Sequence, residues 1–522
     1  MQEPLAEQQH ANAQPTIVAG SDGTARYDAV IIGSGLGGLQ CALVLARKGM
    51  KVVVLERQAQ PGGCMQSFRR HGELLDTGMH YVGGIGEGDC LYAPFKWMGL
   101  MDLPWQHLDA TGFDRVTIGD RDFRYAEGHE AFVETLAHDF GAETAGLKRY
   151  SDLMQEVGSH LYDSILPRDE VDFFSQSMFA SSTWDFLHET FHDDLLINVL
   201  SGSSLKMELA KDTLPLYNFA QANNSFVQGS YRLRGDGNLI VNRLAEQIKA
   251  MGGEVICNAE VEELVEHDGR ITAARCTNGE VYEGRWFISN AHPAVTVGLV
   301  KESSKMKKVY KNRICRLENT YGMFTATLII KPGMLKYFNW NQYIYRQPNV
   351  WTYFNEAGPV QGILISCRCP ESLSADNPQP DARIIDILTP LPWEKVAQWA
   401  DTTVGHRGDE YRDMKERLCE ECVALAEQFI PGLHSMVEAH YCSTPLTYRD
   451  YTLTPNGSCY GVRKDYHNPM MTLLSAKTPI PNLLLTGQSL TLHGLLGVTM
   501  TTLFTVAEIL GKQEAWEITQ TK

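Results

Sequence analysis

The strongest chemical signal in the chain is a glycine run, Gly33-Ser34-Gly35-Leu36-Gly37-Gly38, with an acid, Glu56, further on. Gly33 suits a tight turn, Gly35 lets the backbone approach a pyrophosphate, and Gly38 lets a helix sit against a strand. The free N–H groups and the dipole at a helix start favour negative charge there. A carboxylate at position 56 accepts both ribose hydroxyls and repels a 2′-phosphate. A second glycine pair, Gly62-Gly63, follows within Arg57-Gln58-Ala59-Gln60-Pro61-Gly62-Gly63-Cys64-Met65. A longer dinucleotide needs further close backbone approaches along its pyrophosphate and ribityl chain, so this spacing favours FAD over NAD.

The flanking sequence supplies the elements that such a site needs. Residues 27–32 are an apolar run of strand length, Leu39, Ala42, Leu43, Leu45 and Ala46 repeat as a helix ending near Gly49, and 51–55 is a second apolar run. Strand, glycine turn, helix, strand, acid is the order of a dinucleotide-binding unit. Gly235-Asp236-Gly237-Asn238 opens an amphipathic helix through Leu239, Ile240, Leu244 and Ile248, followed by a strand at 254–257. Residues 261–265 and 270–276 alternate as a hairpin around Asp268-Gly269. A buried strand from Trp286 ends in Asn290-Ala291-His292-Pro293, and 482–486 leads into Gly487-Gln488. The fold expected is α/β: a Rossmann-type FAD-binding domain, of the two-dinucleotide-binding flavoprotein type, with an inserted α+β substrate domain. The FAD-binding domain is drawn from 27–110, 230–300 and 470–515, the substrate domain from 111–229 and 301–469, and 1–26 reads as a polar, disordered tail.

Composition narrows the partners. Hydrophobic residues make up 43% and charged residues 21% of 522, enough to bury large cores. Lys+Arg 46 against Asp+Glu 63 leaves −17, which repels phosphate backbones and excludes nucleic acid as a natural partner. Twelve scattered cysteines read as reduced thiols, pointing to the cytoplasm. Residues 481–506 hold no charge, but Gln488, Ser489, His493 and the Thr499/Thr501/Thr502 cluster are too polar for a bilayer centre. That stretch reads as a buried strand, a glycine-rich turn and a core helix from about Gly497.

The chain resembles the phytoene desaturase superfamily of flavoproteins, in its retinol saturase and carotenoid isomerase branch. The resemblance rests on GSGLGG at 33–38, PGGCMQSF at 61–68, LLDTGMHYVGG at 74–84, RGDGNLI at 234–240, ISNAHP at 288–293, GSCYG at 457–461 and PIPNLLLTGQ at 479–488. It implies a non-covalent FAD and redox chemistry, or redox-assisted isomerisation, on a polyene lipid. It implies that Gly33, Ser34, Gly35, Leu36, Gly37, Gly38, Glu56, Arg57, Gly62, Gly63, Cys64 and Met65 hold the cofactor. Val261 falls on the adenine side, Gly487 and Gln488 on the ribityl side, with Asn290, Ala291, Gly497 and Val498 nearby. Many relatives place an acid where Gln488 stands; its neutral amide bonds a ribityl hydroxyl without adding charge. Gly78, Met79, His80 and Tyr81 fall by the isoalloxazine ring. Saturation would place hydride on one polyene carbon and a proton on its neighbour, and His80, Tyr81 and His493 are the candidate acids. An amine-oxidase-like flavoenzyme, a desaturase and a non-catalytic lipid carrier are the alternatives.

Other signals compete for attention. His188-Glu189-Thr190-Phe191-His192 spells HExxH but lacks a downstream ligand, and Cys419-Glu420-Glu421-Cys422 is a lone CxxC, so no metal site is expected. Gly83–Gly88 reads as a mobile loop near the ring. No separate pyridine-nucleotide domain is visible, so NAD(P)H would dock transiently on the flavin or electrons would come from a redox partner. The apolar stretch at 91–101, and Phe173, Phe174, Met178, Phe179 and Trp184, read either as core or as a lipid path allowing peripheral contact with a membrane. Oligomeric state is not legible.

Overall fold

The computed structural model describes residues 27–167, 172–352 and 359–522; the tail at 1–26 lies outside them. Two seven-stranded sheets organise the chain. In the first, Tyr27–Ile32 lies between Val52–Leu55 and Val281–Ser289, with Glu254–Ile256 beyond Val52–Leu55 and Leu483–Leu485 beside Val281–Ser289, all parallel. Val52–Leu55 is buried along its whole length, as strands covered on both faces require. The hairpin of Val261–His267 and Arg270–Cys276 continues the sheet antiparallel from Val281–Ser289. Helices Leu36–Arg47, Asn238–Ala250 and Gly494–Leu510 cover one face, where Leu39, Leu43, Leu244, Ile248 and Leu503 share a core with Ile31 and Val54. The last helix starts three residues before Gly497, because Gly497 packs inside its first turn against Leu492.

The second sheet runs in the order Val437–Ser443, Gly322–Ile330, Ile384–Leu391, Gly362–Cys367, Asn341–Tyr345, Asp114–Ile118, Arg121–Tyr125. Only Asn341–Tyr345 and Asp114–Ile118 pair in parallel. The two-residue period sorts its side chains onto two cores. Phe324, Ala326, Ile365, Ile385 and Ile387 face the helix Asp409–Ala426. Met323, Leu364, Leu388, Tyr343 and Val116 face the helices built from 129–228. Asp114 and Asp386 share the parity of this second set, so two acids point from an apolar sheet toward the body of the molecule.

Several ambiguous segments resolve as core or surface. Leu91, Phe95 and Met98 are fully buried around the helix Tyr92–Trp97, so the 91–101 stretch is core. Phe179 stacks on Tyr217 with centroids 3.9 Å apart, whereas Phe173 is 73% exposed. The helix Thr183–Thr190 stops before His192, so the HExxH histidines do not share a helix face. Gly83 and Gly84 are packed rather than free: Gly84 N–H donates to the Gly229 carbonyl at 2.8 Å, and a Cβ on Gly83 would stand 2.5 Å from the Ser225 carbonyl. Among the described residues no helix is long and apolar enough to cross a membrane.

Candidate active site

One cavity of about 640 Å³ runs between the two sheets. At one end the wall is backbone. Gly33 turns the chain out of the first strand at φ +91, and Gly35 bridges to Gly62, itself at φ +124. These left-handed torsions suit glycine alone. A Cβ on Gly38 would lie 2.1 Å from the Gly33 carbonyl oxygen, so the helix can approach the turn only with glycine there. The Asn290 side chain threads between Gly35, Gly37 and Gly487; a Cβ on these would lie 2.6, 2.7 and 2.7 Å from its amide atoms. The Glu56 carboxylate is buried and held from two sides. Ser34 donates its N–H and hydroxyl to Oε2 at 3.0 and 2.6 Å, and Gln58 N–H donates to Oε1 at 2.7 Å. Both lone pairs of Oε2 are taken by Ser34, and Oε1 keeps one for a ribose hydroxyl.

The residues expected at the cofactor mostly line this cavity: Gly33, Gly35, Leu36 and Gly37; Glu56 and Arg57; Gly62, Gly63, Cys64, Met65 and Gly78; Val261; Asn290 and Ala291; Gly487, Gln488 and Val498. Ser34, Gly38 and Gly497 stand behind the wall. Ser34 is turned onto Glu56, while Gly38 and Gly497 are consumed by packing against Gly33 and Leu492. Arg57 reaches away to the Asp450 carbonyl and Glu260. Gln488 donates Nε2–H to the Cys459 carbonyl at 3.1 Å, leaving its amide oxygen for a hydroxyl. A long groove with glycine backbone on one wall and an anchored acid at its end fits an extended dinucleotide such as FAD.

The other end is built from side chains. Met323, Leu364 and Leu388 of the second sheet join Leu205, Phe226 and Leu492 in an apolar lining. His80, Tyr81, Lys206 and His493 open onto it. His80 Nδ1 lies 3.7 Å from Asp386, which accepts the Thr327 hydroxyl at 2.5 Å. Burial lowers the His80 pKa to about 4 and raises Asp386 to about 6. His493 Nε2 donates to the Lys206 carbonyl at 2.9 Å, and its ring packs 4.4 Å from Tyr460. Burial also takes His493 down to about 4. Both imidazoles are therefore neutral at pH 7, and the one N–H of His493 is committed to a carbonyl.

Tyr81 belongs to a larger network. Its hydroxyl donates to Asp114 Oδ2 at 3.0 Å, so Tyr343, 2.8 Å away, donates to it. Lys206 Nζ stands 3.4 Å from the Tyr81 oxygen, 3.5 Å from Asp114 and 3.3 Å from Ser203 Oγ, over the Phe226 ring at 4.0 Å. Asn341 Nδ2 donates to the other Asp114 oxygen at 2.9 Å and is itself held by Arg232. Burial lowers Lys206 to about 8, with Asp114 opposing, so a charged ammonium and a neutral amine lie close in energy near neutrality. Sequence reasoning missed Asp114, Lys206, Tyr343 and Asp386. The signal for Asp386 was present: an acid inside the apolar run Ile384-Ile385-Asp386-Ile387-Leu388.

Fold and cradle together define an α/β flavin-dependent oxidoreductase. Residues 36–311 match the flavin containing amine oxidoreductase family. The chain belongs to that family, and it is an FAD-dependent oxidoreductase. It is 26% identical to the all-trans-retinol 13,14-reductase of Rattus norvegicus, across 93% of this chain and 86% of the relative. It is 23% identical to a prolycopene isomerase of an Oncidium hybrid cultivar, across 83% and 75%. A putrescine oxidase structure with putrescine bound superposes with a TM-score of 0.61 at 14% identity, covering 93% of this chain and 99% of that one, a likeness of fold.

Proposed function

We propose that the protein adds hydrogen across a conjugated C=C bond of a polyene or isoprenoid lipid. The observation that carries this is the joining, in one cavity, of the glycine cradle to an apolar pocket holding the buried Lys206–Asp114 pair. The similarity to enzymes named for retinol reduction and prolycopene isomerisation supports the substrate class. The first sheet with its helices serves as the cofactor domain, and the second sheet with the helices from 129–228 as the substrate domain.

Gly33, Gly35, Glu56, Gly62 and Gly63 would hold reduced FAD, which when bound would supply hydride for one polyene carbon. The chain supplies the rest. Met323, Leu364, Leu388 and Phe226 exclude water and align the apolar chain. Lys206 Nζ gives a proton to the neighbouring carbon, and Tyr81 supports the ammonium from the Asp114 side. Asp114, Asn341 and Tyr343 are positioning residues, and His493 fixes the Lys206 backbone through its carbonyl. NAD(P)H docking transiently on the flavin face is the proposed reductant.

The test is anaerobic incubation of the dithionite-reduced protein with retinol or a carotenoid, followed by mass and double-bond analysis. A gain of two hydrogens is expected. Unchanged mass with altered geometry would make the protein an isomerase, and an untouched lipid with peroxide formed from an amine would overturn the reading.

A further inference from the structure

On the face of the second sheet turned away from the cavity, the helix Asp409–Ala426 packs beside the edge strand Val437–Ser443. Strand alternation puts His440 and Cys442 on one face, opposite Leu328 and Ala326 of the neighbouring strand, and that face is the one the helix covers. Cys419 projects from the helix into the same place. Its Sγ, the Cys442 Sγ and a ring nitrogen of His440 all lie within 4.8 Å of one another. On the helix one turn before Cys419, Glu416 accepts from His440 Nε2 at 2.8 Å.

We propose that Cys419, Cys442 and His440 form a binding site for a soft divalent metal ion of the zinc class, oriented by Glu416. Zinc bonds of about 2.3 Å to sulfur and 2.0–2.1 Å to nitrogen space tetrahedral ligand atoms by about 3.5–3.8 Å. The three atoms reach that spacing by closing no more than about 1.3 Å. A carboxylate taking the second ring N–H of a ligating histidine fixes its tautomer and raises its basicity; Glu416 holds Nε2, so His440 would take that part by ligating through Nδ1. Two sulfurs and an imidazole select zinc over magnesium or calcium, whose sites are built of oxygen. Binding displaces one proton from each thiol to solvent, and solvent reaches the fourth position past His440, which is 35% exposed. The thiols already interact with each other, and Lys415 favours their thiolates electrostatically while Glu416 opposes. Cys422, the other half of the CxxC, is buried in the core and takes no part. The ion would clip the helix to the sheet edge, so the site is structural and independent of the flavin.

The test uses the full-length flavoprotein, reduced and freed of metal with a chelator, titrated anaerobically with Co²⁺ alone. One equivalent giving thiolate-to-cobalt charge transfer and the intense d–d bands of a tetrahedral site, displaced by Zn²⁺, is expected. Cys442→Ser should abolish the charge-transfer intensity expected from two thiolates, and Glu416→Gln should weaken binding about 10–100-fold. Cys315→Ser, at an exposed thiol elsewhere, should change neither. Absence of the bands, bands unchanged in Cys442→Ser, or a Cys419–Cys442 disulfide persisting in protein kept under reductant would overturn the proposal.

Discussion

At the Glu56 end of the cavity the chain works with backbone; at the Lys206 end it works with side chains. The first end is local. Gly33 to Gly38, Glu56 and Gly62-Gly63 sit within one strand–helix–strand unit, and only Asn290, Gly487 and a few neighbours come from afar. The second end draws Tyr81, Asp114, Lys206, Tyr343, Asp386 and His493 from six separated stretches. A backbone cradle tolerates almost no substitution at its close approaches, because the clash is with main chain at Gly38 and with the wedged Asn290 side chain at Gly35, Gly37 and Gly487. A side-chain cluster can be retuned one group at a time.

The sharpest way to break this contrast is at Gly38. Gly38→Val drives a side chain into the Gly33 carbonyl, at a cost of about 3 kcal/mol, or roughly two orders of magnitude in flavin retention. The protein should purify colourless, as judged by flavin absorbance per chain; a fully yellow protein would refute the cradle. Lys206→Met tests the other end. It should keep its flavin and lose about 10²–10⁴ in the rate of lipid reduction, the usual worth of a positioned acid. An unchanged rate in the stopped-flow trace would remove Lys206 from the chemistry.

The pH profile sharpens the same point. An acid works only while it holds its proton, so a Lys206 pKa of about 8 predicts a rate that falls as pH rises through that value. Asp114 and Tyr81 face this ammonium, and Asp114 holds its pKa up against burial. Lys206→Arg, protonated well beyond that range, should move the falling limb upward. Tyr81→Phe removes one hydrogen-bonded support and should cost about tenfold in rate with flavin intact. Smallest of all, His192→Ala should shift stability by no more than about 0.5 kcal/mol in thermal melts, since its helix ends before it.

Legibility followed the same division. The glycine turn, the helix after it, the hairpin around Asp268-Gly269 and the late strand at Leu483–Leu485 were readable because period and turn chemistry act over short range. Tyr81 and His493 were readable as polar groups in suggestive motifs, but their roles were not. The N–H of His493 is used on a carbonyl, and the Tyr81 hydroxyl is one member of a buried network. The Gly83–Gly88 segment looked mobile because glycine permits motion; packing against Ser225 and Gly229 removes it at Gly83 and Gly84. The CxxC read as a lone motif; both its thiols stand on one helix, with Cys422 buried in the core, and the edge strand brings Cys442 beside Cys419.

By itself, then, the sequence determined the glycine turns and the acid that build the cradle, because a Cβ is absent at certain positions whatever surrounds them, and a missing atom is legible one residue at a time. Only the tertiary structure decided which groups meet at the reactive end. Burial and proximity set the charge of Lys206, His80 and Asp386, and both arise from strands and helices far apart in the chain.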